Sequence, residues 1–281
     1  MTKFSVIIPV HNDAASLDTF LTRMLQDASS DSAEIVVVCN GCTDNTVSVA
    51  DSFRSQVTVL VSPSANKPQA LALGDGAAVA FPRLYVDVDV RTTIGDMHAV
   101  AEVLTRGQVL AAAPRLTIDL GRASPLVKAY YAVWMQLPWV NDSLIGSGFY
   151  GLSREGHRRL GGFHTQGADD LWVSAHFATQ ERRAVPSATF TVPASLSIRE
   201  VVRRRARILA ANRRISADLR GLPGFTGGHG RLGGVPALVR HRPALFGQAL
   251  LYLGVQVIAR MVALRYAANG RIPWNPDRRY A

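Results

Sequence analysis

Asp87-Val88-Asp89 closes an apolar run that starts at Leu84 and reads, through Val88, as a buried parallel strand. Carboxylates at the C-terminal end of such a strand sit where open α/β sheets bind ligands. Alternation along the strand points Asp87 and Asp89 to one face. Together they suit one hard cation such as Mg²⁺, which is typically held by one or two carboxylates plus substrate phosphates. A second pair, Asp169-Asp170, opens the helical stretch Leu171 to Thr179 and meets the positive end of its dipole. One aspartate there serves as an N-cap. The other is left for general-base work.

Further along, Ile198 to Leu219 repeats apolar residues at helical spacing, with seven arginines interleaved between Arg199 and Arg214. Most of that charge reads as a solvated face. Arg205 falls on the apolar side, and an inward arginine needs an anion, either a substrate phosphate or a carboxylate. Two other strings carry less. Cys39-Asn40-Gly41-Cys42 is a Cys-x-x-Cys, but its surroundings read as a turn into a helix capped by Thr43 or Asp44 rather than as a redox site. Gly146-Ser147-Gly148-Phe149-Tyr150-Gly151 matches the dinucleotide fingerprint as a string. It lies far from the first strand-helix turn where that fingerprint works, so the match is coincidental.

The elements that must position these residues follow from periodicity. Ser5 to Val10, Glu34 to Cys39, Val57 to Val61 and Leu84 to Val88 read as strands. Between them, helices are predicted around Leu17–Leu25, Thr43–Phe53 and Ala70–Val79, with another over Asp96–Arg106 before a strand at Val109–Pro114. Strand-helix alternation means a parallel sheet with right-handed crossovers. Tyr130, Tyr131 and Trp134 form an aromatic stripe that reads as core. Gly221 to Gly234 holds seven glycines in fourteen residues and reads as a linker. Beyond it, Ala244 to Ala259 is an apolar run short of the roughly 20 residues a spanning helix needs. Arginines flank both of its ends, so it reads as a helix lying on a membrane surface or packed on a partner.

With 48% apolar and 19% charged residues, the 281-residue chain is globular rather than disordered. A net charge of +10 suits anionic partners. Two cysteines exclude a disulfide framework, and the apolar run after Lys3 is too short for a secretory leader, so a cytoplasmic location is expected.

Five ordered segments resemble the inverting family 2 glycosyltransferases with the GT-A fold. Pro9-Val10-His11-Asn12-Asp13 resembles their opening Pro-x-Tyr-Asn-Glu, and Val38 to Asp44 their Val-Asp-Asp-Gly-Ser-Thr-Asp. Asn66-Lys67 with Ala70-Leu71 and Gly74 is similar to Gly-Lys-x-x-Ala-Leu-Asn-x-Gly. Asp87-Val88-Asp89 resembles the Asp-x-Asp, and Gly161-Gly162-Phe163 with Asp169-Asp170 the Gly-Gly-Phe and Glu-Asp acceptor motif. The processive members' Gln-x-x-Arg-Trp would fall at Arg204 to Ile208 and keeps only Arg207, which argues for addition of a single sugar.

The resemblance implies an α/β fold with a mostly parallel sheet, flanking helices and a C-terminal helical tail. It implies a catalytic domain over residues 1–220, with a donor half near 1–90 and an acceptor half near 91–220. A linker at 221–235 and a tail at 236–281 would follow. Pro9, Val10, Asp13 and Asn40 would hold base and ribose of a UDP- or GDP-sugar, and Lys67 would contact the nucleotide. Asp87 would reach the ribose and the metal's water shell, and Asp89 would ligate Mg²⁺ or Mn²⁺. Asp170, beside Asp169, would take the proton of a hydroxyl acceptor, lipid-linked or from a cell-envelope glycan, and Arg205 or Arg207 would assist at the diphosphate. An anionic membrane surface on the cytoplasmic side is the further partner expected of the tail, and no nucleic acid is expected.

Two other classes compete. A nucleotidyltransferase on a similar sheet would use paired aspartates and release pyrophosphate, although the chain has no Gly-x4-Gly-Lys-Ser/Thr string. A basic nucleic-acid-binding protein would use the arginine-rich helix, with Tyr130, Tyr131 and Trp134 as stacking groups.

Overall fold

A computed structural model describes residues 3–26, 32–138, 140, 148–164, 169–225 and 234–268. The chain divides into two compact units: Met1–Thr117 with Leu144–Val192, and Ile118–Ser143 with Pro193–Ala281. The first carries a seven-stranded sheet of order β3-β2-β1-β4-β6-β5-β7. Its strands are β1 (Phe4–Val10), β2 (Ala33–Asn40), β3 (Thr58–Ser62), β4 (Arg83–Val86), β5 (Ala111–Asp119), β6 (Phe149–Leu152) and β7 (Arg182–Pro193). β1 pairs in parallel with β2 and β4, and β2 with β3. β6 runs antiparallel between β4 and β5.

β1 is buried along its whole length, which is why its sequence is aliphatic without alternation. The helices α1 (Ala14–Leu25), α2 (Thr46–Ser52), α3 (Lys67–Ala77) and α4 (Ile94–Thr105) link the first strands. α6 (Arg154–Leu160) and α7 (Asp169–His176) follow β6. Ile7, Val36, Val38, Leu71, Tyr85, Tyr150, Val173 and Phe177 meet in one core, which joins α3 and α7 to the sheet.

The second unit is helical, with α5 (Pro125–Trp134), α8 (Ile198–Ile215), α9 (Gly234–His241) and α10 (Phe246–Ala268). Tyr130 stacks on Tyr252 at 5.3 Å between ring centres, and Val127, Val133, Val201 and Val255 pack around them. Ala206 and Ala210 of α8 are buried with Ala259 and Ala263 of α10, small residues at fourfold spacing along both helices. α8, grouped with the catalytic part in the sequence reading, belongs to this unit. Most of the expected glycine linker, residues 226–233, lies outside the described residues, as do Gly146 and Ser147.

Among the boundaries that differ from those the periodicity predicts, three bear on the site. β4 ends at Val86, so Asp87 and Asp89 lie in a turn rather than on a strand face. The Asp87 N–H bonds the Gly148 carbonyl at 2.7 Å, and the Val90 N–H returns to the Asp87 carbonyl at 3.2 Å. α3 starts at Lys67, three residues before Ala70, because Asn66 caps it by accepting the Gln69 N–H. α2 starts at Thr46 because the Asp44 carboxylate accepts both the N–H and the hydroxyl of Thr46.

Candidate active site

The ends of β1 and β2 are fastened by short polar contacts. Asn12 Oδ1 accepts the Thr43 N–H at 2.7 Å, and the Asp13 N–H donates to Thr46 Oγ1 at 3.0 Å. Asp13 also caps α1, its Oδ1 accepting the Ser16 N–H at 3.3 Å. Pro9 and Val10 complete β1, paired in register with Val38 and Cys39. Asn40, expected at the base, is only 1% exposed, and its Oδ1 accepts the Asn66 N–H at 2.8 Å. Its work here is to seat the start of α3.

That seat fixes Lys67, the first residue of α3. Its Nζ lies 2.7 Å from Asp87 Oδ1 and 3.4 Å from Asp169 Oδ1. Burial opposes a charged amine, but Asp169, Asp87 and Asp170 outweigh it and hold Lys67 protonated well above the usual lysine range. Asp169 is buried, and its Oδ2 accepts a hydrogen bond from the Tyr150 hydroxyl at 3.3 Å. The two expected carboxylate pairs therefore meet, joined by a lysine that the spacing alone did not place between them.

Asp170 is held differently. Its Oδ1 accepts the N–H of Leu171 at 2.7 Å, and its other oxygen takes no hydrogen bond among the described residues. Burial first, and then the neighbouring Asp169, push its carboxyl up to about 6. A carboxylate of that strength suits proton abstraction near neutral pH. The sequence reading left open which aspartate is the structural one. Asp169 is tied to Lys67 and to the Tyr150 hydroxyl.

Gly148 is a site residue that the motif reading missed. Its φ is +93°, and a Cβ there would stand 2.9 Å from Asp87 Oδ2. Close approach to Asp87 is the reason for a glycine at this position, inside a string that matched a dinucleotide fingerprint by chance.

Among the described residues no three His, Cys, Asp or Glu side chains gather into a metal site. Two oxygen donors, Asp87 and Asp89, still fit a Mg²⁺ or Mn²⁺ that takes its remaining ligands from water and a diphosphate.

Arg205 and Arg207 lie on α8 in the second unit. Arg205 Nη2 donates to the amide oxygen of Gln256 at 3.0 Å, and the Gln256 amide donates to the Tyr130 hydroxyl at 3.4 Å. A neutral amide thus takes the place of the anion expected for this arginine. Tyr130 and Tyr131 are buried, which removes two of the stacking groups a nucleic-acid reading needs. Cys39 is buried and its thiol pushed up to about 12, first by that burial, so it has none of the thiolate character of a redox cysteine.

The model of glycosyl transferase family 2 matches residues 5–116. The mannosyltransferase PcManGT from Pyrobaculum calidifontis, in complex with GDP-Man and Mn²⁺, aligns with 96% of this chain and 76% of its own. The identity is 21% and the TM-score 0.61. Glucosyl-3-phosphoglycerate synthase from Mycobacterium tuberculosis, in complex with phosphoglyceric acid, aligns with 80% of this chain and 82% of its own, at 19% identity and a TM-score of 0.55. The same enzyme in complex with Mn²⁺, UDP-Glc and phosphoglyceric acid aligns with 75% and 78%, at 19% identity and a TM-score of 0.51. No curated protein matches. The likeness to these structures shows the fold, which is GT-A.

Proposed function

From a GT-A fold whose first 116 residues carry the family 2 match, we propose a metal-dependent inverting glycosyltransferase that adds a single sugar to a hydroxyl acceptor. The observation that carries this reading is the meeting of Asp87, Lys67, Asp169 and Asp170 at the ends of β4, α3 and α7. The donor is a UDP- or GDP-sugar, the class found in the complexes of the two aligned enzymes. Pro9, Val10 and Asp13 line the nucleotide end, and Lys67 pairs with the diphosphate. Asp87 and Asp89 would hold Mg²⁺ or Mn²⁺, which would supply Lewis-acid neutralisation of the charge on a departing diphosphate.

Asp170 takes the proton of the acceptor hydroxyl as its oxygen attacks the anomeric carbon. The bond from that carbon to the diphosphate breaks on the opposite face, so configuration inverts. Asp169 keeps Lys67 in place and, as a like charge beside Asp170, keeps the base weakly acidic.

The acceptor, in this reading, is a lipid-linked or cell-envelope glycan met at the cytoplasmic membrane face. Its support is α10, which is long and apolar enough to cross a membrane, yet buries one face against its own unit and leaves apolar side chains exposed on the other.

Thermal melting with UDP- and GDP-sugars, with and without Mn²⁺, tests the donor, because binding to the folded state raises Tm by mass action. Release of a nucleoside diphosphate is expected. Release of pyrophosphate from a nucleoside triphosphate would establish the nucleotidyltransferase instead.

A further inference from the structure

Lys67 sits in an unusual place for a cation. It is the first residue of α3, where the helix dipole disfavours positive charge. Two carboxylates hold it there, Asp87 at 2.7 Å and Asp169 at 3.4 Å, and only a quarter of its side chain is exposed. One of them, Asp87, is also one of the two oxygen donors available to a divalent cation. Among the described residues no third metal-ligating side chain compensates for its loss.

We propose that Lys67 competes with the metal for Asp87, so that the divalent cation binds weakly alone and more tightly together with a nucleoside diphosphate. This inference rests on the metal-dependent reading above. A diphosphate relieves the competition in two ways. It supplies the oxygens that the protein lacks for a six-coordinate ion. It also gives the ammonium, a point charge on a flexible stem, a second anion to turn to. Metal and nucleotide then strengthen each other's binding by the same factor, as linkage requires. Asn40 and Tyr150 serve the device by fixing its two ends, Asn40 through the Asn66 N–H and Tyr150 through Asp169.

The test is titration of MnCl₂ into the full chain, following the free Mn²⁺ signal by electron paramagnetic resonance, with and without UDP or GDP. In wild type, the better of the two nucleotides should tighten Mn²⁺ binding by about tenfold or more, a coupling within the usual range. Lys67→Gln should bind Mn²⁺ alone about tenfold more tightly than wild type and gain less from nucleotide. Lys67→Arg, which keeps the charge, should behave as wild type toward Mn²⁺ alone. Circular dichroism checks that the variants fold, and the wild-type titration decides the coupling even where a variant does not. Equal Mn²⁺ affinity in wild type with and without nucleotide overturns the proposal, as does a folded Lys67→Gln that binds Mn²⁺ no more tightly. Failure of wild type to bind Mn²⁺ even with nucleotide removes the metal role itself, and this inference falls with it.

Discussion

Two adjacent carboxylates at this site have different surroundings, and the proposed mechanism gives them different work. Asp169 has both oxygens engaged, by Lys67 and by Tyr150, whereas Asp170 engages one oxygen with a backbone N–H. Asp170→Asn keeps shape and removes the proton acceptor, so turnover should fall about 10²- to 10⁴-fold with donor affinity near wild type. Because the Asp170 carboxyl is raised to about 6, it is protonated and idle below that pH. The rate should therefore rise with pH through about 6. Asp169→Asn removes the like charge that helps raise it, which should move this limb to lower pH. A pH profile of kcat on both variants checks the assignment, and an active Asp170→Asn with a dead Asp169→Asn would reverse it. Asp89→Ala should abolish Mn²⁺-dependent nucleotide binding in calorimetry, since one of the two proposed carboxylate ligands is lost. Equal nucleotide affinity of wild type in Mn²⁺ and in chelator would end the metal role.

Elements decide where these side chains can stand. The aliphatic strands β1 and β2 were legible because burial on both faces leaves a continuous run, and the order of five short motifs carried the fold. The end of β4 was not legible. Val88 and Val90 extend the apolar run, yet the ladder stops where the Asp87 N–H meets the Gly148 carbonyl, a contact between residues 61 apart in sequence. Lys67 between the two carboxylate pairs was hidden for the same reason, since no local pattern tells which strand end faces which helix start. Arg205 read as an anion ligand because its partner, Gln256, lies 51 residues away. Gly148→Ala tests the β4–β6 junction. A positive φ and a Cβ within 2.9 Å of Asp87 should cost roughly 1–3 kcal/mol and weaken nucleotide-dependent Mn²⁺ binding. Gly107→Ala is the control. It also has a positive φ, +73°, but its Cβ meets nothing within 4 Å, so it should lower Tm without changing Mn²⁺ binding. Equal loss of Mn²⁺ binding in both would mean that strain alone, not contact with Asp87, is responsible.

At the scale of the whole molecule, the proposed membrane docking of the tail rests on the two faces of α10. Tyr252, Val255, Ala259 and Ala263 are buried among α5 and α8, so the helix is part of a protein core. Phe246, Leu250, Val257, Met261 and Leu264 are each more than half exposed, and their spacing of 4, 7, 4 and 3 puts them on one stripe. Arg260 and Arg265, both exposed, fall on either side of it. Sequence pattern could not separate these faces, because the helix is apolar nearly all round. An apolar stripe bordered by arginines, on a chain of net charge +10, fits a bilayer surface carrying anionic lipid. Truncation before α10 would remove core residues, so the sound test is at the surface. Changing Leu250, Val257, Met261 and Leu264 together to Gln should leave Tm near wild type and reduce co-sedimentation with phosphatidylglycerol-containing vesicles by at least about tenfold. Arg260→Gln with Arg265→Gln should weaken it less, at about 1 kcal/mol per charge, and added salt should abolish that difference. Wild type that stays in the supernatant at low salt would refute membrane docking. A wild-type dimer that the fourfold variant turns to monomer in sedimentation velocity would assign the stripe to a second copy of the chain instead.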